Sequence, residues 1–252
     1  MSLLAIDIGN TGIKVGLFDG SSLEQSFRLS TVRERTADEY CVFFKGLLGA
    51  QDVEAAIAAS VVPPVGAIID EAIKRQFNVE PVFVSPVDME LMPLEVDYPA
   101  QVGVDRVVNC YAAIRLYGTP LIVIDFGTGT TFDVLSGKGT YLGGAIAAGA
   151  EIAAEALHQK AALLPKIRLK KPDEPIGKNT RTNLRIGLYE GLLGQIDFIV
   201  RRFWKALGQQ AKVIATGGLA EEMTRECPLI DQADPQLTLK GLEMIYRDRI
   251  SG

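Results

Sequence analysis

The stretch Leu3–Phe18, LLAIDIGNTGIKVGLF, decides how the rest of the chain is read. An apolar run ends at Asp7, turns through Gly9, Asn10 and Thr11, and resumes as a strand carrying Lys14, so polar groups collect at one hairpin tip. Two readings fit this pattern. One is a phosphate cradle: glycine lets the backbone approach a ligand, amide and hydroxyl donors meet phosphate oxygens, and a carboxylate at the strand end can hold a hydrated cation. The other is an ordinary β-hairpin with a polar turn.

The second half repeats the pattern. PLIVIDFGTGTTFDVLS (residues 120–136) again places an apolar strand before Asp125 and Gly127. Thr128, Thr130 and Thr131 stand where the first copy has Asn10 and Thr11, and a second strand follows. Asp125 follows Asp7 by nearly half the chain, which predicts a duplicated domain with two phosphate-binding tips at a shared cleft. The halves divide at residues 1–118 and 119–252.

Composition bounds the partners. The chain has 252 residues, 48% of them apolar, with 25 glycines and a net charge of −5. Charges of both signs are interspersed, so neither nucleic acid nor an anionic membrane surface is an expected partner. No apolar run approaches the roughly 18 residues of a membrane span, and the N-terminus lacks the basic region of a signal peptide. Cys41, Cys110 and Cys227 lack the paired spacing of a metal or redox site, which predicts reduced thiols in a cytoplasmic protein. The single histidine, His158, lies in a helical pattern and reads as a surface or partly buried residue, so acid-base chemistry falls to carboxylates.

Between the two tips, residues 22–31 alternate as a third strand, and Thr36 with Glu39 has the spacing of a capping box. Residues 53–62 read as a buried strand, followed by a helix through Phe77 and a short strand over 81–85. This alternation predicts an α/β sheet of partly parallel order. A proline-rich loop over 86–101 delivers GVDRVVNCYAAIRLYG (103–118), a helix with Asp105 and Arg106 in its first turn. Taken alone, Asp105 reads as a carboxylate favoured by the helix dipole. After the second tip come a strand with a double glycine, a helix, a polar loop over 170–183 and a long helix from Leu184 whose apolar positions exceed one stripe. A strand then ends in Thr216-Gly217-Gly218, a turn that could admit a flat base or ribose or serve any strand-to-helix junction. An amphipathic helix closes the chain.

Together DIGNTGIKVGLF, VGVDRVVN, DFGTGTTFDV, YLGGAI, IGKNT and the TGG turn, in this order, resemble the type III pantothenate kinases along almost the full length. The resemblance implies two related α/β domains of the acetate and sugar kinase, Hsp70 and actin superfamily around a nucleotide cleft. It implies phosphorylation of pantothenate by ATP, the first step of coenzyme A synthesis, with Mg²⁺, a monovalent cation (K⁺ or ammonium) and a homodimer. By the same resemblance Asp7, Ile8, Gly9, Asn10, Thr11, Gly12, Ile13 and Lys14 bind the ATP phosphates, with Asp7 a water-mediated Mg²⁺ partner. Thr128 contacts ATP, and Asp125 is the K⁺ ligand. Asp105 becomes the general base, with Arg106 beside it to hold substrate or developing charge. Tyr98, Gly103, Val104, Asp105, Arg106 and Thr180 match the pantothenate-binding positions. Asp133 contributes to the cation site or caps a hairpin.

The chain departs from the family pattern at Gly129, where alanine is usual, at Ala148, where proline is common, and at Arg185-Ile186. None is a proposed catalytic group. An accessory protein of the same fold, or a kinase of another small polyol or acid, are the competing readings. Retention of Asp7, Asp105, Arg106 and Asp125 argues against the first, and the GVDR and GKNT pair against the second.

Overall fold

The computed structural model describes residues 1–49, 51–85 and 90–251. The chain forms two compact units, Met1–Leu116 with Gln236–Gly252, and Tyr117–Pro235. The first four residues of the loop read over 86–101 lie outside the described residues.

In the first unit the chain builds β1 (Ser2–Ile8), β2 (Gly12–Asp19), β3 (Ser22–Ser30), α1 (Ala37–Leu48), β4 (Ala55–Ser60), α2 (Pro63–Phe77), β5 (Val82–Phe83) and α3 (Val104–Tyr117). The sheet order is β3-β2-β1-β4-β5, with the first three strands antiparallel and β4 and β5 parallel to β1. Local chemistry sets the helix starts. At α1 the Thr36 side chain accepts from the Glu39 amide, while the Glu39 carboxylate accepts from the Thr36 amide at 2.8 Å, as the capping-box spacing predicts. At α2, Pro63 and Pro64 fill positions whose N–H groups have no partner within a helix.

Alternation along β1 sends Leu4, Ile6 and Ile8 to one face, under α1 and α2, where they pack with Tyr40, Phe44, Ile69 and Ile73. Leu3 and Ala5 point the other way, with Ile57 and Ala59, under α3. That second face also takes the last helix of the chain, α7 (Leu237–Ser251), through Leu239, Leu242 and Ile245. Residues 236–252 thus belong to the compact unit of the N-terminal sheet. Amphipathicity shows that a helix needs an apolar face to cover it and does not say which sheet supplies one. Close packing decides: a Cβ at Gly16 would lie 3.0 Å from a Leu239 methyl, and one at Gly241 would lie 2.6 Å from the Val108 carbonyl oxygen.

The second unit repeats the plan with β6 (Leu121–Phe126), β7 (Gly129–Leu135), β8 (Tyr141–Ala148), α4 (Ala150–Lys160), α5 (Thr180–Leu207), β9 (Lys212–Gly217), α6 (Ala220–Glu226) and β10 (Gln232–Ala233). Its order is β10-β9-β6-β7-β8. Each half therefore has its first strand in the middle, an antiparallel hairpin and third strand to one side, and two parallel strands to the other. The repeat read from two short motifs extends to the whole sheet. Ile122, Ile124, Phe126, Val213 and Ala215 pack under α5 and α6.

Two helix details differ from expectation. The long helix begins at Thr180 rather than Leu184, because Asn179 and Thr182 form a capping box that the polar run disguises as loop. Its buried stripe is narrow, Tyr189, Leu192, Ile196 and Val200, and Phe198 remains 66% exposed. No helix among the described residues is long and apolar enough to cross a membrane. The three cysteines are free thiols, and His158 lies on α4 with its Nδ1 2.8 Å from the Leu164 carbonyl.

Candidate active site

At the first tip Asp7 is the penultimate residue of β1 and sits directly across from Lys14 on β2. It shares its sheet face with Leu3 and Ala5, the face that α3 and α7 cover. The Lys14 ammonium stands 3.9 Å from Asp7 Oδ2 and donates to Thr238 Oγ1 on α7 at 3.4 Å. Both contacts are long, so the ammonium is held in place without being saturated. The turn closes by a bond from the Gly9 amide to the Gly12 carbonyl at 3.0 Å. Asn10 and Thr11 at its apex are exposed. Thr31, just after β3, clamps the tip: its hydroxyl donates to the Gly9 carbonyl at 2.7 Å and its amide to the Thr11 carbonyl at 3.3 Å.

The second tip is a shorter version of the first. Asp125 is again penultimate in its strand, and the Gly127 amide donates to the Gly129 carbonyl at 3.1 Å. Gly149, just after β8, takes the place of Thr31, with its amide donating to the Thr128 carbonyl at 3.2 Å. A Cβ at Gly149 would collide with the carbonyl oxygens of Gly127 and Thr128, so only glycine seats this clamp. Asp125 pairs with Thr131 on one side and with Thr216 of β9 on the other. Gly217 follows with φ +88°, and a Cβ there would lie 2.5 Å from Asp125 Oδ1. The TGG turn is therefore built around the Asp125 carboxylate. Thr216 is fully buried, and its Oγ1 has no hydrogen-bond partner among the described residues.

Asp133 shares the Asp125 face of β7 and is buried. It accepts from the Tyr141 hydroxyl at 2.8 Å, a bond that ties β7 to β8, and from Thr131 Oγ1 on its own strand at 3.2 Å.

Asp105 occupies the first turn of α3, partly buried, with Arg106 beside it. The Gly103 carbonyl accepts from the amides of Arg106 and Val107, which starts the helix. Asp105 Oδ1 accepts from the Arg106 amide at 2.9 Å and folds back over Gly103, where a Cβ would lie 2.5 Å away. Val104 packs with Ala5 and Ala59, so the Asp105 turn is anchored to the sheet close to the strand ends that bear Asp7. Tyr98 caps a single 3₁₀ turn, Pro99–Gln101, and is 67% exposed. Thr180, in the second unit, is the exposed first residue of α5. The first unit thus carries Asp7 to Lys14, Tyr98 and Gly103 to Arg106, and the second carries Asp125, Thr128 and Thr180.

The donor sets suit small hard cations. Among the described residues no three His, Cys, Asp or Glu side chains converge as a metal cage. Single carboxylates at the strand ends instead match Mg²⁺ that keeps water and phosphate ligands at Asp7. At Asp125 the carboxylate has the Thr216 hydroxyl on the neighbouring strand, oxygen donors that could hold a monovalent ion.

The sequence profile of the type III pantothenate kinases matches residues 3–202. The chain belongs to this family. A type III pantothenate kinase of Moorella thermoacetica is 43% identical over 249 residues, covering 97% of this chain and 98% of the relative. One from Agathobacter rectalis is 41% identical over 251 residues, covering 97% and 96%. Among solved structures, a ROK family glucokinase from Streptomyces griseus, in complex with glucose and AMPPNP, superposes with a TM-score of 0.55 at 15% identity. The match covers 98% of this chain and all of the glucokinase. That likeness shows a fold shared with the glucokinase, in agreement with the duplicated sheet.

The spacing of residues does not reveal the clamps at Thr31 and Gly149. Their signal is positional: each directly follows the third strand of its repeat and meets the tip only once that strand folds back.

Proposed function

We propose that the chain transfers the γ-phosphoryl group of ATP to the primary hydroxyl of pantothenate, the reaction for which its family is named, with Asp105 as general base. Phosphoryl transfer asks a protein to position the reactants, neutralise charge and orient the attacking hydroxyl. The backbone amides of residues 10–12 and the Thr11 hydroxyl cradle phosphate oxygens, and Lys14 adds a positive charge. Asp7 holds Mg²⁺ through water, and Thr128 contacts ATP from the second tip. Arg106 steadies the substrate or the charge that develops on it. Gly103, Val104, Tyr98 and Thr180 contact pantothenate, and Asp125 holds K⁺ or ammonium.

The observation that carries the base assignment is the Asp105 carboxylate itself, fixed on the first turn of α3 by the Arg106 amide and packed over Gly103. A carboxylate oriented before substrate arrives can take the hydroxyl proton without rearranging.

A homodimer completes this reading. Phe198 on α5 is 66% exposed and Ile176 in the preceding loop 68%, apolar area that a second copy would cover.

The test is ADP production from ATP with and without pantothenate, in K⁺ and in Na⁺, for the wild type and Asp105→Asn. Turnover should require pantothenate, rise in K⁺, and fall by ~10²–10⁴-fold in the variant. Equal ADP release without pantothenate, or full activity in Asp105→Asn, would sink the mechanism.

A further inference from the structure

We infer that Thr216 Oγ1 is a ligand, beside the Asp125 carboxylate, of the monovalent cation. The inference rests on the reading of Asp125 as the cation ligand and adds a neutral oxygen to it.

Asp125 and Thr216 are register partners on the adjacent parallel strands β6 and β9, so their side chains leave the sheet on the same face. The Asp125 carboxylate lies against the Cα of Gly217, the next residue after Thr216, in space that any side chain at Gly217 would occupy. The hydroxyl of Thr216 is fully buried and unpartnered among the described residues. An unsatisfied buried hydroxyl costs on the order of 1–3 kcal/mol, and valine would fill the same volume without that cost. A threonine here therefore calls for a partner that the described residues do not supply.

The chemistry of the position selects the partner. Asp133 on the same face already accepts from the Tyr141 and Thr131 hydroxyls, so the Asp125 carboxylate and the neutral Thr216 hydroxyl together bring one negative charge, which balances a monovalent ion and falls short of a divalent one. A hydroxyl oxygen has lone pairs for a hard cation even while it donates its proton elsewhere. Gly217, with φ +88°, lets the chain turn away immediately after Thr216, so the face above Asp125 is not blocked by the following side chain.

Cation binding to the folded state raises stability by mass action, a readout separate from turnover. The experiment is thermal unfolding of the full chain titrated with KCl against choline chloride at constant ionic strength, for the wild type, Thr216→Val, Thr216→Ser and Asp125→Asn. The wild type should be stabilised saturably. Thr216→Val should match or exceed the wild type without K⁺ and need roughly 10-fold or more K⁺ for half of its stabilisation. Thr216→Ser should restore the wild-type midpoint. A hydroxyl with a purely structural role would change overall stability and leave that midpoint in place. A wild-type midpoint in Thr216→Val, or a serine variant that behaves like valine, overturns the inference. A wild-type K⁺ response in Asp125→Asn, or no response in the wild type, overturns the Asp125 reading first and this one with it. If the valine variant does not fold, Thr216→Ala carries the same expected shift.

Discussion

Gly217 combines a backbone φ of +88° with an Asp125 oxygen 2.5 Å from where its Cβ would be. An L side chain there meets two costs, the left-handed backbone and the displaced carboxylate. Gly217→Ala should therefore lose at least roughly 1–2 kcal/mol of stability in urea unfolding, the cost of the backbone conformation alone. A loss under about 0.5 kcal/mol, the usual range of an exposed and neutral substitution, would mean that the turn relaxes freely. Two glycines after a strand are visible in the sequence, but their purpose is not. It depends on a carboxylate more than ninety positions earlier in the chain, brought alongside by the parallel pairing of β6 and β9.

At the scale of elements, α3 must hold Asp105 still, and α7 is what holds α3. The Tyr111 hydroxyl of α3 donates to the Asp248 carboxylate of α7, and the Arg115 guanidinium bonds the same carboxylate at 2.7 Å while lying 3.6 Å over the Tyr111 ring. The Tyr111 hydrogen bond holds the Asp248 carboxyl below its ordinary pKa, with Arg115 adding to the effect against partial burial. Burial first, and then the bond to Asp248, push Tyr111 up to about 12. The signs are opposite. Asp248 contributes stability above its unfolded pKa of about 3.9, lost as pH falls through the lower folded value. Tyr111 contributes stability that is complete below its unfolded pKa of about 10 and is lost as pH rises through the folded value. Tyr111→Phe should reduce the alkaline loss, to which Tyr40, Tyr117 and Tyr189, also raised by burial, contribute the rest, and weaken the acid one. Urea midpoints measured across pH would show both, and an unchanged alkaline limb in the variant would refute the linkage.

For the whole molecule, the repeat closes only when the end of the chain returns to its beginning. Leu237, Leu239, Leu242 and Ile245 of α7 are all buried in the first unit. Each buried side chain of this kind contributes roughly 1.5–3 kcal/mol, so together they rival the about 5–15 kcal/mol of a typical domain. Deleting residues 236–252 should abolish cooperative unfolding of the first unit although it leaves every strand and both tips in the sequence. A truncated chain with wild-type circular dichroism and a wild-type melting profile would contradict this.

How much of this was legible beforehand follows from the range of each interaction. Strand alternation, the capping box at Thr36 and Glu39, and the repetition of an aspartate and glycine at two strand ends are local patterns. Covalent spacing and hydrogen bonding within a few residues are enough to impose them. The fold class and the positions of Asp7, Asp105 and Asp125 at element ends follow from such patterns together with the family resemblance. The short strand read over 81–85 forms only at Val82–Phe83, and the two-residue strand β10 had no comparable signal, because so short a segment becomes a strand only through its neighbour. Tertiary packing alone determines that Thr31 and Gly149 clamp the tips, that α7 covers the first sheet, and that Thr216 lies beside Asp125 with a hydroxyl unanswered among the described residues. Each joins residues far apart in the chain, and burial and close contact, rather than local conformational preference, select the pairing.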